Sequence, residues 1–275
     1  MSTIMPLAQN FDGQKRPYFK NVDIPPIYDV VKTVDMLIET EKSFSRFGDG
    51  EFKLMTEPDK NHAFQRNSKE LVDKLKEIIT TSNDLVEVGI NRIYYYKDGC
   101  ELPYIEDFLY NKKYADLMVS NRYCEYLKRD HYYDSVFSIP YHHYGLDKGF
   151  FDSYFAKVEK IWEGRNVYLI TGDTEIMGYD FNIFTESAKK VSLVEISKKD
   201  SFEYSDRIKR YVNGLGVSKK DDLLLFICGL AGTTLSYDMA IEDGYRCIDV
   251  GHIAKEYYAY KHGVIPYSNA DTNFF

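Results

Sequence analysis

From Ile27 onward, apolar residues recur at Val30, Val31, Val34, Leu37 and Ile38, the spacing of one helical face. Phe44 and Phe47 then frame a short strand, which delivers Ser45-Arg46-Phe47-Gly48-Asp49-Gly50-Glu51 to its carboxyl end. Asn67 with Glu70 three positions on marks a helix start, and Leu71, Val72, Leu75, Ile78 and Ile79 supply its buried stripe. A strand follows over 84–90. The stretch 91–150 is dense in Tyr and broken by Gly99, Pro103, Pro140 and Gly145, which predicts helices around 104–129, a strand over 136–139 and long connections. Beyond it the pattern is regular: a helix near 150–163, then strands over 166–171, 191–196, 222–228 and 246–250, each separated by a helix. Alternating strands and helices predict an α/β fold, a Rossmann-like, mostly parallel sheet with flanking helices. Residues 1–26 are weakly periodic and end in Pro25-Pro26, so they read as an N-terminal arm packed on the body or on a second copy of a homo-oligomer. Residues 27–275 read as a single domain.

Composition narrows the partners. A net charge of -8 with scattered Lys and Arg offers no stripe for a phosphate backbone, so nucleic acid is not expected. No apolar run approaches the ~20 residues of a spanning helix, and the N-terminus lacks the apolar core of a signal peptide, which gives a cytoplasmic expectation. Cys100, Cys124, Cys228 and Cys247 show no C-x-x-C spacing and read as reduced packing residues. The 25 Tyr suit sugar recognition, interfaces and cores equally.

Candidate chemistry gathers at predicted strand ends. Asp49 and Glu51 flank Gly50, whose backbone freedom lets both carboxylates turn toward one hard cation; equally, Asp49 could cap a helix with Glu51 in its first turn. Gly229-Leu230-Ala231-Gly232-Thr233-Thr234 joins a buried-type strand to a helix, so its N–H groups and the two Thr hydroxyls could cradle a phosphate, or the glycines could serve only the turn. It has neither the G-x-G-x-x-G spacing nor the Lys of a P-loop. At the strand over 246–250, His252 and Lys255 could hold diphosphate charge while Glu256 or Asp249 accepts a proton, or the segment could be a solvated helix start. Gly172-Asp173-Thr174-Glu175 is a further acidic strand end. His142-His143, lacking a third spaced ligand, reads as a surface or acceptor-facing pair.

Taken together, SRFGDGE, NVYLITGD with FNIFTESAKKVSLVEI, and ICGLAGTTLSYDMAIEDGYRCIDVGHIAKEYYAY resemble the GT-D-type glycosyltransferases, a family first catalogued as a domain of unknown function. The resemblance spans roughly residues 40–262. It implies a Rossmann-like fold, a divalent cation (Mn²⁺ or Mg²⁺) on an Asp-x-Glu motif, here Asp49 and Glu51, a UDP-sugar donor carrying glucose or a related hexose, and a glycan or glycoprotein acceptor. Arg46 takes the place of a diphosphate contact. Two departures stand out: Gly229-Leu230-Ala231-Gly232 where many relatives carry Gly-Pro-Thr-Ala, and Ala254 where they often carry Asp. A non-catalytic nucleotide-sugar-binding scaffold and a metal-dependent phosphohydrolase are the alternative readings.

Overall fold

Local capping chemistry decides where the elements begin. In the computed structural model, which describes residues 24–57, 59–62, 64–92 and 121–264, Asp29 Oδ1 accepts the Lys32 N–H at 2.9 Å. Helix α1 (Val30–Glu39) therefore starts at Val30 rather than Ile27. Ile27 instead bridges Tyr132 in parallel, and Ile24 and Ile27 are both buried, so the packed body begins before position 27. The remainder of the expected arm lies outside the described residues.

Strand β1 (Ser43–Phe47) leads into α2 (Asp49–Thr56), then α3 (Lys69–Thr80) and β2 (Val86–Ile90). The cap of α3 is Ser68, whose hydroxyl accepts the Leu71 N–H, while the Asn67 amide donates to Leu54 O and ties α2 to α3. Most of the helical stretch expected at 104–129 lies outside the described residues; its end is α4 (Asn121–Cys124). Strand β3 is the pair Tyr133–Asp134. The strand expected over 136–139 is instead a 3-10 turn, Ser135–Ser138, because Asp134 Oδ1 accepts the Val136 N–H and bends the chain.

Short helix α5 (Pro140–His143) and α6 (Lys148–Glu159) precede β4 (Asn166–Thr171). The helix expected after Gly172-Asp173 is only a 3-10 segment, Thr174–Gly178, since the Asn182 amide takes the Ile176 carbonyl that a longer helix would use. Next come β5 (Lys190–Glu195), α7 (Ser205–Asn213), β6 (Asp222–Ile227), α8 (Leu230–Ile241), β7 (Cys247–Asp249) and α9 (Ile253–His262).

The strands form one seven-stranded parallel sheet in the order β3-β2-β1-β7-β6-β4-β5. Parallel sheets need both faces covered, and successive side chains on β6 show this directly. Leu224 and Phe226 join a core with α3 and α8, while Leu223 and Leu225 join one with α1, α6 and α9. Helix α8 is buried along its length except at Ile241, which explains its mixed, non-amphipathic sequence. Cys124, Cys228 and Cys247 are free thiols, and among the described residues no helix is long and apolar enough to cross a membrane. With every strand parallel, the carboxyl ends of β1, β4, β6 and β7 share one edge, the side on which open α/β sheets place ligands.

Candidate active site

Three of those strand ends meet around one hydroxyl. Thr233 Oγ1, in the first turn of α8, lies 2.8 Å from Arg46 O, 3.0 Å from Glu51 Oε1 and 3.4 Å from Asp249 Oδ2. Its single proton serves one acceptor at a time, so it pins β1, α2 and β7 to the same point. Gly232 permits this approach: a Cβ there would stand 3.3 Å from the Asp249 carboxylate. Glu51, 5% exposed, also accepts the Gly48 N–H at 2.8 Å, the return half of a capping box.

Beside this hydroxyl, Arg46 Nε approaches Asp249 Oδ1 at 3.7 Å, with both side chains largely buried. Burial first, and then the neighbouring Glu51 charge, pushes the Asp249 carboxyl up to about 6 against the pull of Arg46, the Gly251 N–H and Thr233. Asp249 Oδ1 accepts the Gly251 N–H at 2.9 Å, which holds the turn after β7. Gly251 adopts φ +48°, and a Cβ on it would stand 2.6 Å from Arg46 Nε. The guanidinium occupies the space a side chain would fill.

Next to this cluster, with Gly251 as the residue they share, lies an open cleft. Its polar lining includes Asp173, Lys198, His252 and Lys255, with Gly229, at φ +57°, opening α8; Ile176, Ile227 and Leu230 give it an apolar wall. Lys255 Nζ pairs with Asp173 Oδ2 at 2.8 Å. The His252 ring opens onto the cleft, and desolvation, followed by the Arg46 and Lys255 charges, lowers its pKa against Asp173 and Asp49.

The far wall is the turn at His62, Phe64 and Gln65. It is tied to the segment after β5: Asp200 N–H donates to Phe64 O at 2.8 Å, Phe202 N–H to Gln65 Oε1 at 3.1 Å, and Arg66 pairs with the Asp200 carboxylate at 3.0 Å. Sequence reasoning missed both His62 and Lys198. Lys198 lies two positions beyond a predicted strand and was open to the same strand-end argument; His62 comes from a connection with no periodic signal.

Several sequence expectations change. Thr233 and Thr234 are buried and bonded to protein oxygens, Thr234 to Ala231 O at 3.1 Å, so neither hydroxyl faces the cleft as a phosphate cradle. Glu256 does not line the cleft; it is 1% exposed, accepts the His142 N–H at 3.1 Å and pairs with the His142 ring. His142 and His143 are correspondingly buried, not surface-facing. Asp249 is floor, shielded from an incoming hydroxyl by its 2% exposure.

For a hard cation, oxygen donors are the right chemistry, and the two carboxylates of the motif differ in availability. Asp49 is 34% exposed and pairs with Lys53 at 2.5 Å, a surface partner that a cation could displace, whereas both Glu51 oxygens already brace Gly48 and Thr233. Among the described residues no group of three or more His, Cys, Asp and Glu is placed to enclose a metal.

Compared with known proteins, the chain matches the family described as Glycosyltransferase GT-D fold over residues 44–272. It is 29% identical over 251 residues to Glycosyltransferase GlyD of Streptococcus pneumoniae serotype 4 (strain ATCC BAA-334 / TIGR4), covering 86% of this chain and 28% of that protein. Probable glycosyl transferase Gly of Streptococcus gordonii is 25% identical over 232 residues, covering 84% of this chain and 32% of its own length. The chain thus spans about a third or less of the curated relatives it matches. Among solved structures, a new glycosyltransferase (DUF1792) from Streptococcus sanguinis superposes with a TM-score of 0.76 at 25% identity, covering 88% of this chain and 86% of that one. The structure reported as the highly conserved domain of unknown function 1792 with a distinct glycosyltransferase fold gives 0.77 at 24% identity, over 90% and 86%. With sheet, strand-end cleft and a match running from β1 past α9 in agreement, the chain belongs to the Glycosyltransferase GT-D fold family.

Proposed function

We propose that the chain transfers a hexosyl group, glucose or a close relative, from a UDP-sugar to a glycan or glycoprotein acceptor, with Mn²⁺ or Mg²⁺ held through Asp49 and braced by Glu51. The observation that carries this reading is the convergence of Lys255, Lys198 and the Gly229 turn on one cleft with an apolar wall, whose lining residue Gly251 packs against Arg46. Charge grows on the nucleotide diphosphate as the glycosidic bond breaks. Cationic groups and helix N–H groups already in place beside an apolar wall stabilise that charge with little reorganisation. Lys255 exchanges its bond to Asp173 for a phosphate oxygen, and the His252 ring, open to the cleft, donates a hydrogen bond to the same group. The bound cation supplies Lewis-acid stabilisation of the departing diphosphate.

The test is hydrolysis and transfer from a panel of UDP-sugars, with and without Mn²⁺, in wild type and Asp49→Ala. Turnover of one UDP-hexose that falls at least a hundredfold with chelator and in the variant is expected. Full turnover in Asp49→Ala refutes the cation placement, and UDP binding without turnover of any donor favours a scaffold role.

A further inference from the structure

Past the cleft, α9 carries a row of rings. Lys255, Tyr258 and His262 stand at i, i+3 and i+7, on one helical face, so the row begins beside the cleft residue Lys255 and runs about 10 Å along the helix axis. The segment after the 3-10 turn Thr174–Gly178 faces it: Asp173 and Ile176 line the cleft, and Tyr179 and Phe181 continue outward. Ring centroids of Tyr179 and Tyr258 are 4.6 Å apart at 38°, those of Tyr258 and His262 are 4.3 Å apart, and Phe181 meets His262 at 5.4 Å and 70°. Tyr179 and Tyr258 are half-buried while Phe181, 37% exposed, and His262 open to solvent, so the packed rings form a continuous surface whose outer end is exposed.

Polar groups interrupt the track. Asp180 Oδ1 lies 3.1 Å from His262 Nε2, and Lys261 Nζ sits 5.8 Å from the Phe181 ring centroid. Burial, then Asp173 and Glu175, push the Tyr179 hydroxyl up to about 12, so it remains a neutral donor and acceptor. A purely apolar protein segment would strand Asp180 and Lys261 without water, and a nucleic acid would meet Asp180 and Glu175 as like charges. A saccharide has an apolar C–H face ringed by hydroxyls, which matches tilted rings interleaved with hydrogen-bonding groups.

From this arrangement we infer that Tyr179, Phe181, Tyr258 and His262 form the binding track for a neutral oligosaccharide, the acceptor, whose reacting end enters the cleft past Lys255 and Asp173. The inference deepens, and rests on, the proposed transferase reading. Its test does not require turnover. Saturation-transfer difference NMR with maltose, cellobiose, lactose and chitobiose is expected to show transfer from wild type to at least one disaccharide. Tyr258→Ala and the exposed Phe181→Ala should each weaken that affinity by about fivefold or more, with circular dichroism and UDP affinity retained. No transfer to any of the four, or unchanged affinity in folded Phe181→Ala, overturns the inference. Disaccharide binding without sugar turnover leaves the track standing and defeats the transferase reading; turnover with no effect of either substitution on acceptor KM does the reverse.

Discussion

Gly251→Ala tests whether Arg46 is wedged over the turn after β7. Two costs add in this variant. At φ +48° an alanine pays roughly 1–2 kcal/mol for the left-handed backbone. The new Cβ would also stand 2.6, 2.7 and 2.8 Å from Arg46 Nε, Cζ and Nη2, far inside contact distance, and the Arg46 side chain is only 11% exposed, so it must leave its place beside buried Asp249. Loosening that pair adds on the order of 2 kcal/mol, below the cost of deleting a buried partner outright. Gly263→Ala supplies the control, since its φ of +64° carries the same backbone cost but a Cβ there meets nothing within 4 Å. Calorimetry should therefore find Gly251→Ala melting lower than Gly263→Ala by roughly 4–8 °C, the shift that 2 kcal/mol produces in a chain of this size. In an Arg46→Ala background the difference should vanish, because the clashing group is gone. Equal melting points for the two single variants, or an undiminished difference without Arg46, would refute the wedge.

Three further outcomes follow from named contacts. Burial raises the Asp134 carboxyl to about 7, against the Val136 and Arg92 N–H groups and the Arg92 charge, so its proton stabilises the fold at low pH and that contribution is lost as pH rises from about 4 through 7; denaturation at pH 5 and pH 8 should show Asp134→Asn gaining on wild type by up to about 2.5 kcal/mol at the higher pH, and parallel profiles would contradict it. Thr233→Val should cost about 2 kcal/mol in urea unfolding and Thr233→Ser under half of that, because only the hydroxyl bridges Arg46 O and Glu51; equal losses would assign the effect to packing. Lys255→Met should raise donor KM about tenfold while moving the melting point little, as its ion pair with Asp173 is partly exposed, and an unchanged KM would remove Lys255 from the donor site.

The sheet was legible because parallel strands buried on both faces read as continuous apolar runs, as in Leu223 to Phe226. Strand β3 was not, being two residues long and ended by a side-chain bond of Asp134. Strand ends likewise gathered Arg46, Gly229, Asp249, His252 and Lys255 at one edge of the sheet. Roles within that edge were less readable, because side-chain direction separates floor from lining. Lys255 and Glu256 are neighbours in sequence, yet one enters the cleft and the other is sealed by His142, 114 positions away. Spacing alone carries no trace of such a partner. Nor does it show that Glu51 reaches back to Gly48 and across to Thr233 while Asp49 turns to Lys53.

The neighbouring positions of β1 and β7 give the molecule a seam in time as well as in space. Phe44 registers with Ile248, and the Cys247 N–H bonds Ser43 Oγ across 204 positions of chain. During synthesis, β1 with β2 and β3, and separately β4, β5 and β6, emerge as two half-sheets whose inner edges stay unpaired until the β7 segment arrives. The strand that carries Asp249 is thus also the keystone that joins the halves. Ribosome-bound chains arrested before residue 247 should display sticky edges and invite chaperones, whereas emergence of β7 and α9 closes sheet and cleft together.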